Sequence, residues 1–294
     1  MRTEVDHDKG RSKVSKSSES SAKTLAAPKV VFVVGAPRSG TSIVWLALTR
    51  ALKATHYGEG HMMHFFKGQL AGMLRDFGDL AARQYKGMLA AETTPRTLEK
   101  HYANMIRQFY NEAYRASHIV DKTPSLQGVE TVPFARKTFP SAKFVFCHRR
   151  ALENVESRIR KWPGSLFESH CREWSAIMSK WRSLRSDLPE ELYLEVDQQS
   201  IAIRPEKVAQ SLGVMIDLES DQTAVIAETF ATRETAMIVG SAKTRVLDLD
   251  AIDWDADQKR IFLDICGEEL TAWSYTLDGT YRKALASSQI TVLC

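Results

Sequence analysis

The sequence predicts an α/β fold of three layers, a central parallel sheet with helices on both faces and additional helical insertions. Three observations predict it. Short β-branched runs alternate with stretches of helical spacing, the first run passes through a glycine-bearing turn directly into a helix, and the polar clusters all fall where strands end. In such sheets ligands bind beyond the carboxyl ends of the strands.

Residues 1–28 mix Lys, Arg, Ser, Asp and Glu with few large apolar side chains, too few to offset the cost of ordering the chain. A disordered tail is expected there, followed by one catalytic domain over 29–294. The acidic residues Glu4, Asp6 and Asp8 argue against an organelle transit peptide. Order is expected to begin at Val30–Val34, a run suited to a strand buried on both faces. Gly35–Gly40 follows as a tight loop, and Thr41–Ala54 carries apolar residues at helical spacing. Between about His61 and Ala116 several helices are expected, broken at Glu92-Thr93-Thr94-Pro95, because a residue preceding proline is excluded from helix.

A second strand is expected at His118–Val120, leading into Asp121-Lys122-Thr123-Pro124. The third covers Lys143–Cys147 and stops at His148-Arg149-Arg150. Ala151–Arg160 then reads as a helix, Leu166–Leu184 as a longer one, and Leu192–Val196 as a fourth strand.

Composition narrows the function classes. The chain has 294 residues, 44% of them hydrophobic, which suffices for one sizeable α/β core. Its net charge of +4 suits an anionic ligand but is too small to demand nucleic acid, and none is expected as a partner. No run approaches the roughly 18 apolar residues of a membrane span. Cys147, Cys171, Cys266 and Cys294 lie far apart without metal-ligand spacing, so a reducing, cytoplasmic setting without a metal site is expected.

The first loop, Gly35-Ala36-Pro37-Arg38-Ser39-Gly40-Thr41-Ser42, has the spacing of a P-loop, which places the expected fold among P-loop-type architectures. Glycines let backbone N–H groups turn toward an anion, and the helix that follows offers its positive end. Thr41 stands where nucleotide kinases carry lysine, and Arg38 supplies the charge instead. A triphosphate enzyme also needs a magnesium carboxylate at a neighbouring strand end. Here the strand over 143–147 ends in His148, Arg149 and Arg150, which favours a second anionic group held directly by arginine, without metal.

The residues Pro37–Ser42, together with Arg149 followed eight residues later by Ser157, resemble the PAPS-dependent sulfotransferase superfamily (PAPS being 3′-phosphoadenosine-5′-phosphosulfate). The resemblance implies that Gly35, Arg38, Ser39, Gly40, Thr41 and Ser42 bind the 5′-phosphosulfate, and that Arg149 and Ser157 hold the 3′-phosphate. The motif layout is most similar to tyrosylprotein sulfotransferases and bacterial sulfotransferases. Gly58-Glu59-Gly60 and Asp121-Lys122-Thr123-Pro124 match two further segments of that group, which implies Glu59 as catalytic base and Lys122 as stabiliser of the departing phosphate. In-line transfer also needs cations opposite the attacking hydroxyl, a role expected of Arg38 as well. A histidine among His56, His61 and His64 is the alternative base, since cytosolic members use histidine. His61 and His64 stand one helical turn apart and also suit a helix face.

The expected reaction is therefore transfer of a sulfuryl group from PAPS to a hydroxyl on a carbohydrate, lipid, phenol or tyrosine, releasing adenosine 3′,5′-bisphosphate. Two rivals are a P-loop nucleotide kinase and a polyanion-binding module built on Arg149, Arg150, Arg158, Arg160 and Lys161. An acceptor pocket is expected between the helices of 61–116 and 166–184.

Overall fold

The computed structural model describes residues 28–55, 57–82, 89–232 and 246–283. Most of the expected tail and His56 lie outside them. Four strands, β1 (Lys29–Gly35), β2 (His118–Thr123), β3 (Lys143–His148) and β4 (Tyr193–Asp197), form one sheet in the order β2-β1-β3-β4, every pair parallel. Central β1 is buried on both sides from Val30 onward, which explains its continuous apolar run.

Side-chain alternation along β1 divides the interior in two. Val31 and Val33 face a core built with α1 (Thr41–Leu52), α10 (Pro205–Ile216) and α11 (Ser220–Ala231), closed by Ile201 of α9 (Gln198–Ile203). Val30, Phe32 and Val34 face the opposite core. That larger core receives α2 (Met62–Ala82), α4 (Pro95–Tyr114), the short α5 (Leu126–Glu130) and α6 (Val132–Thr138), α7 (Ala151–Lys161), α8 (Phe167–Arg185) and α12 (Ala256–Ala272). The result is the expected three-layer α/β sandwich. Phe146 stacks on Trp181 with ring centroids 4.5 Å apart, tying β3 to α8.

The break foreseen at residues 92–95 is present. The four-residue α3 (Leu89–Glu92) stops there, and α4 restarts with Pro95 in its first turn and the Thr94 side chain accepting from the Thr97 backbone N–H. Three strand ends run further than expected: β2 to Thr123, β3 to His148 and β4 to Asp197. In each case a polar residue continues the ladder because its side chain is buried and partnered. Asp121 accepts from the Tyr110 hydroxyl at 2.8 Å and from Thr123 at 3.2 Å. Helix α1 ends at Leu52 rather than Ala54, where Lys53 turns left-handed at φ 48°. Among the described residues no helix is long and apolar enough to cross a membrane.

Candidate active site

The β1–α1 turn lies where the ends of β1 and β3 meet. Gly35, at φ 139°, passes so close to β3 that a Cβ there would stand 2.1 Å from the Cys147 carbonyl oxygen. Gly40, at φ 89°, caps α1 with no side chain of its own. Between them Arg38 adopts φ 71°, an uncommon conformation for a residue with a Cβ. Its Nε donates to Ser157 Oγ on α7 at 3.1 Å, a contact between residues 119 positions apart. The two anion-binding segments expected from the sequence therefore meet in space. Ser39 and Thr41 are buried within the turn.

Arg149 follows β3 directly and completes this corner. Its backbone carbonyl accepts from Trp174 Nε1 at 2.9 Å, while its buried Nε has no partner among the described residues. Burial, with the like charge of Arg38 adding to it, pulls the guanidinium below the usual arginine range. An unpartnered, buried donor on a permanently charged group is costly unless an anion meets it. Arg38 is lowered likewise, first by burial and then by repulsion from Arg160.

On the other side of the turn, β2 delivers Lys122. Its ammonium donates to Ser42 Oγ at 3.2 Å and lies 3.3 Å from Glu59 Oε1, above the Trp45 ring. Glu59 sits in a loop fixed to the β2 edge by Gly60 N–H donating to the Lys122 carbonyl oxygen at 3.0 Å. A Cβ on Gly60 would stand 2.3 Å from Asp121 Oδ1, so only glycine lets the loop lie this close to the buried carboxylate. His61 Nε2 is 3.0 Å from Glu59 Oε2. Burial alone would raise Glu59, but the His61 hydrogen bond and the Lys122 charge outweigh it and hold the carboxyl below the usual range. Glu59 is therefore ionised at neutral pH, with one oxygen on a cation and the other on an imidazole.

Of the three candidate histidines, His61 belongs to this cluster and His64 is exposed on α2. The two do not share a helix face, because His61 precedes α2 with φ 53°. Two residues of the basic run behind the polyanion rival are consumed internally. Arg150 is fully buried, with Nε donating to Glu153 at 2.9 Å and Nη1 to the Thr276 carbonyl oxygen at 3.1 Å, and Arg158 is buried against Glu173 and the Trp162 ring.

Two features escaped the sequence. Asn154, buried on α7, donates from Nδ2 to the Pro37 carbonyl oxygen and to Ser39 Oγ, both at 2.9 Å, so α7 grips the turn at a second point. Asp197, at the end of β4, accepts from Tyr281 at 2.8 Å, from Tyr275 at 3.1 Å and from Arg282 Nη2 at 2.7 Å. His148 joins this group, its Nδ1 lying 2.7 Å from the Tyr275 hydroxyl. The residues around 275–282 are thereby bolted beneath Arg149, whose neighbour Arg150 donates its N–H to the Tyr281 hydroxyl at 3.3 Å.

With its polar centre assembled at the carboxyl ends of a parallel sheet, the molecule falls in the class of α/β proteins that bind ligands at the strand ends. Within that class the chain belongs to the sulfotransferase family, which matches residues 28–222. Among solved structures it is similar in fold to the sulfotransferase domain of the Synechococcus PCC 7002 olefin synthase, at 17% identity and TM-score 0.50 over 85% of this chain and 96% of that one. It is also similar to sulfotransferase STF9 from Mycobacterium avium, at 11% identity and TM-score 0.51 over 86% and 79%. No curated protein sequence matches the chain.

Proposed function

We propose that the chain is a cytoplasmic, PAPS-dependent sulfotransferase, with residues 29–294 as one catalytic domain. The observation that carries this reading is the Arg38–Ser157 contact beside Arg149, which joins two cationic segments into one anion-binding corner. In this reading Gly35, Arg38, Ser39, Gly40, Thr41 and Ser42 receive the 5′-phosphosulfate, and Arg149 and Ser157 receive the 3′-phosphate. The orphaned, buried Arg149 Nε fits such a ligand. Buried cysteine thiols at 147, 171 and 266 accord with a reducing compartment.

Glu59 takes the proton of the acceptor hydroxyl as its oxygen attacks sulfur, and Lys122 and Arg38 receive the charge that develops on the departing phosphate oxygen. Lys122 suits this role because it already touches both Glu59 and Ser42. A sulfuryl group carries less charge than a γ-phosphoryl, so fixed cations suffice and no metal enters the reaction.

The test is nucleotide binding without metal. Adenosine 3′,5′-bisphosphate should raise the melting temperature in the absence of magnesium, and Mg-ATP should raise it much less. Arg149→Ala should weaken the bisphosphate by about 1.5–3 kcal/mol, as measured by calorimetry. Equal stabilisation by both nucleotides, or unchanged affinity in the variant, would refute the donor assignment.

A further inference from the structure

A cavity of about 870 Å³ opens between α2, α4, α6 and α8, within the region where the acceptor pocket was expected. None of Arg38, Glu59, Lys122 and Arg149 lines it, so it does not open onto the reacting groups. Its floor is apolar, with Leu70, Ala103, Phe134 and Leu184 among the lining residues. Its rim is strongly basic. Six lysines and arginines line the cavity against two glutamates, Glu99 and Glu130, a local excess as large as the net charge of +4 carried by the entire chain.

Two of the six cations are spent on the fold. Lys67 donates to the Glu130 carbonyl oxygen at 3.0 Å, and Arg107 donates to the Thr138 carbonyl oxygen at 2.5 Å. Arg96, Lys100, Lys137 and Lys180 have neither an ion pair nor a hydrogen bond among the described residues, although Lys180 is half-buried at the cavity wall. With six cations against two carboxylates, a net excess of four positive charges surrounds one concavity, and like charges so placed repel. An anionic ligand relieves that repulsion, and the apolar floor rewards a ligand with a hydrocarbon body. The volume lies within the 300–1,000 Å³ range of small-molecule sites.

We propose that this cavity binds an amphiphilic anion, a hydrocarbon chain ending in a carboxylate or a comparable acidic head, at a site separate from the donor nucleotide. The chain lies over Ala103 and Phe134, and the head meets the rim at Lys100 and Lys137. A neutral amphiphile gains only the apolar part, and a free inorganic anion gains only the charge.

The test is calorimetry on the full chain with dodecanoate below its micellar concentration, compared with dodecanol and with inorganic phosphate. Dodecanoate should bind one to one and at least tenfold tighter than either. The Lys100→Glu/Lys137→Glu variant, changed only at exposed positions, should lose at least tenfold in dodecanoate affinity while keeping its melting temperature. A second variant, Ala103→Trp, should fill the floor and abolish uptake without altering charge. Adenosine 3′,5′-bisphosphate should bind all three proteins alike and should not compete with dodecanoate.

Dodecanol binding as tightly as dodecanoate, phosphate binding as tightly, competition by the nucleotide, or unchanged affinity in both variants would each overturn the proposal. Association with anionic vesicles in place of the free amphiphile would overturn it too. Because the readout is binding at the cavity, failure here leaves the donor assignment standing, and failure of the donor assignment leaves this site standing.

Discussion

Glu59 is held by two partners that push its acidity in the same direction. His61 and Lys122 both stabilise the carboxylate, so it stays ionised below the ordinary glutamate value of 4.5. Glu59→Gln keeps the shape and removes the proton acceptor. Turnover should then fall by about 100-fold or more while adenosine 3′,5′-bisphosphate affinity is unchanged. Full turnover in that variant would leave His61 as the base. The pH profile gives an independent check. A base works only when deprotonated, so the acid limb of kcat/KM should lie below pH 4.5 in the wild type. In His61→Ala, where one stabilising hydrogen bond is gone, that limb should move upward; a stationary limb would mean that Glu59 is not the group being titrated. The sequence offered Glu59 and Lys122 only through family resemblance, because a loop glutamate and a lysine ending a short strand are by themselves unremarked surface residues. Their proximity depends on Gly60 resting against Asp121, a contact between segments some sixty residues apart that no local pattern encodes.

At the scale of elements, the site is a set of strand ends locked to helix α7. Gly35 ends β1 in a conformation and a space that admit no side chain, so Gly35→Ala should part the β1–β3 ladder at its last rung. The expected result is a loss of several kcal/mol of stability in urea unfolding, well beyond the usual effect of a surface change. Asn154→Ala is milder in its effect on folding but specific, since it removes one of the two grips of α7 on the turn without removing an expected nucleotide contact. It should weaken the bisphosphate by about 1–3 kcal/mol, with the melting temperature of the ligand-free protein falling only modestly. An unaltered affinity would show that the turn holds its shape without this grip. The strands and the long helices as far as α8 were legible because hydrophobic burial imposes a period on them, whereas α10, α11 and α12 were not assigned from the sequence. Helices α5, α6 and α9 were not, since five to seven residues are too few to establish one. Asn154 was hidden for a different reason: an asparagine within a helical stretch reads as solvent-facing until a loop from another strand is known to lie against it.

Across the whole molecule, distant segments are joined by buried charge. The sheet ends hold a buried group of His148, Asp197, Tyr275, Tyr281 and Arg282, joined across 78 to 134 residues and therefore invisible to any short-range reading. Burial pulls His148 down to about 4, so it is neutral in the folded protein at pH 7. Asp197 is held below its ordinary range even though burial opposes this, and at neutral pH the Arg282 charge and the hydrogen bonds carry the effect because His148 is then uncharged. The sign of the consequence is fixed. Between pH 6.5 and 4 the unfolded chain protonates His148 and the folded one does not, so stability is complete above 6.5 and declines as pH falls, by about 3 kcal/mol at pH 4. Urea midpoints measured across that window should show the decline, and His148→Gln should flatten it while leaving the separate loss below pH 4 that comes from protonating Asp197. An equally steep decline in His148→Gln would place the titrating group elsewhere. The Asp197–Arg282 pair also bears on how the chain is made. An emerging polypeptide exposes the end of β4 well before its cation, which arrives 85 residues later. A carboxylate enclosed without that cation is strongly disfavoured. A sheet that closes before residue 282 arrives encloses that carboxylate unpaired, so chains interrupted upstream of it should be found by proteases and chaperones rather than by nucleotide.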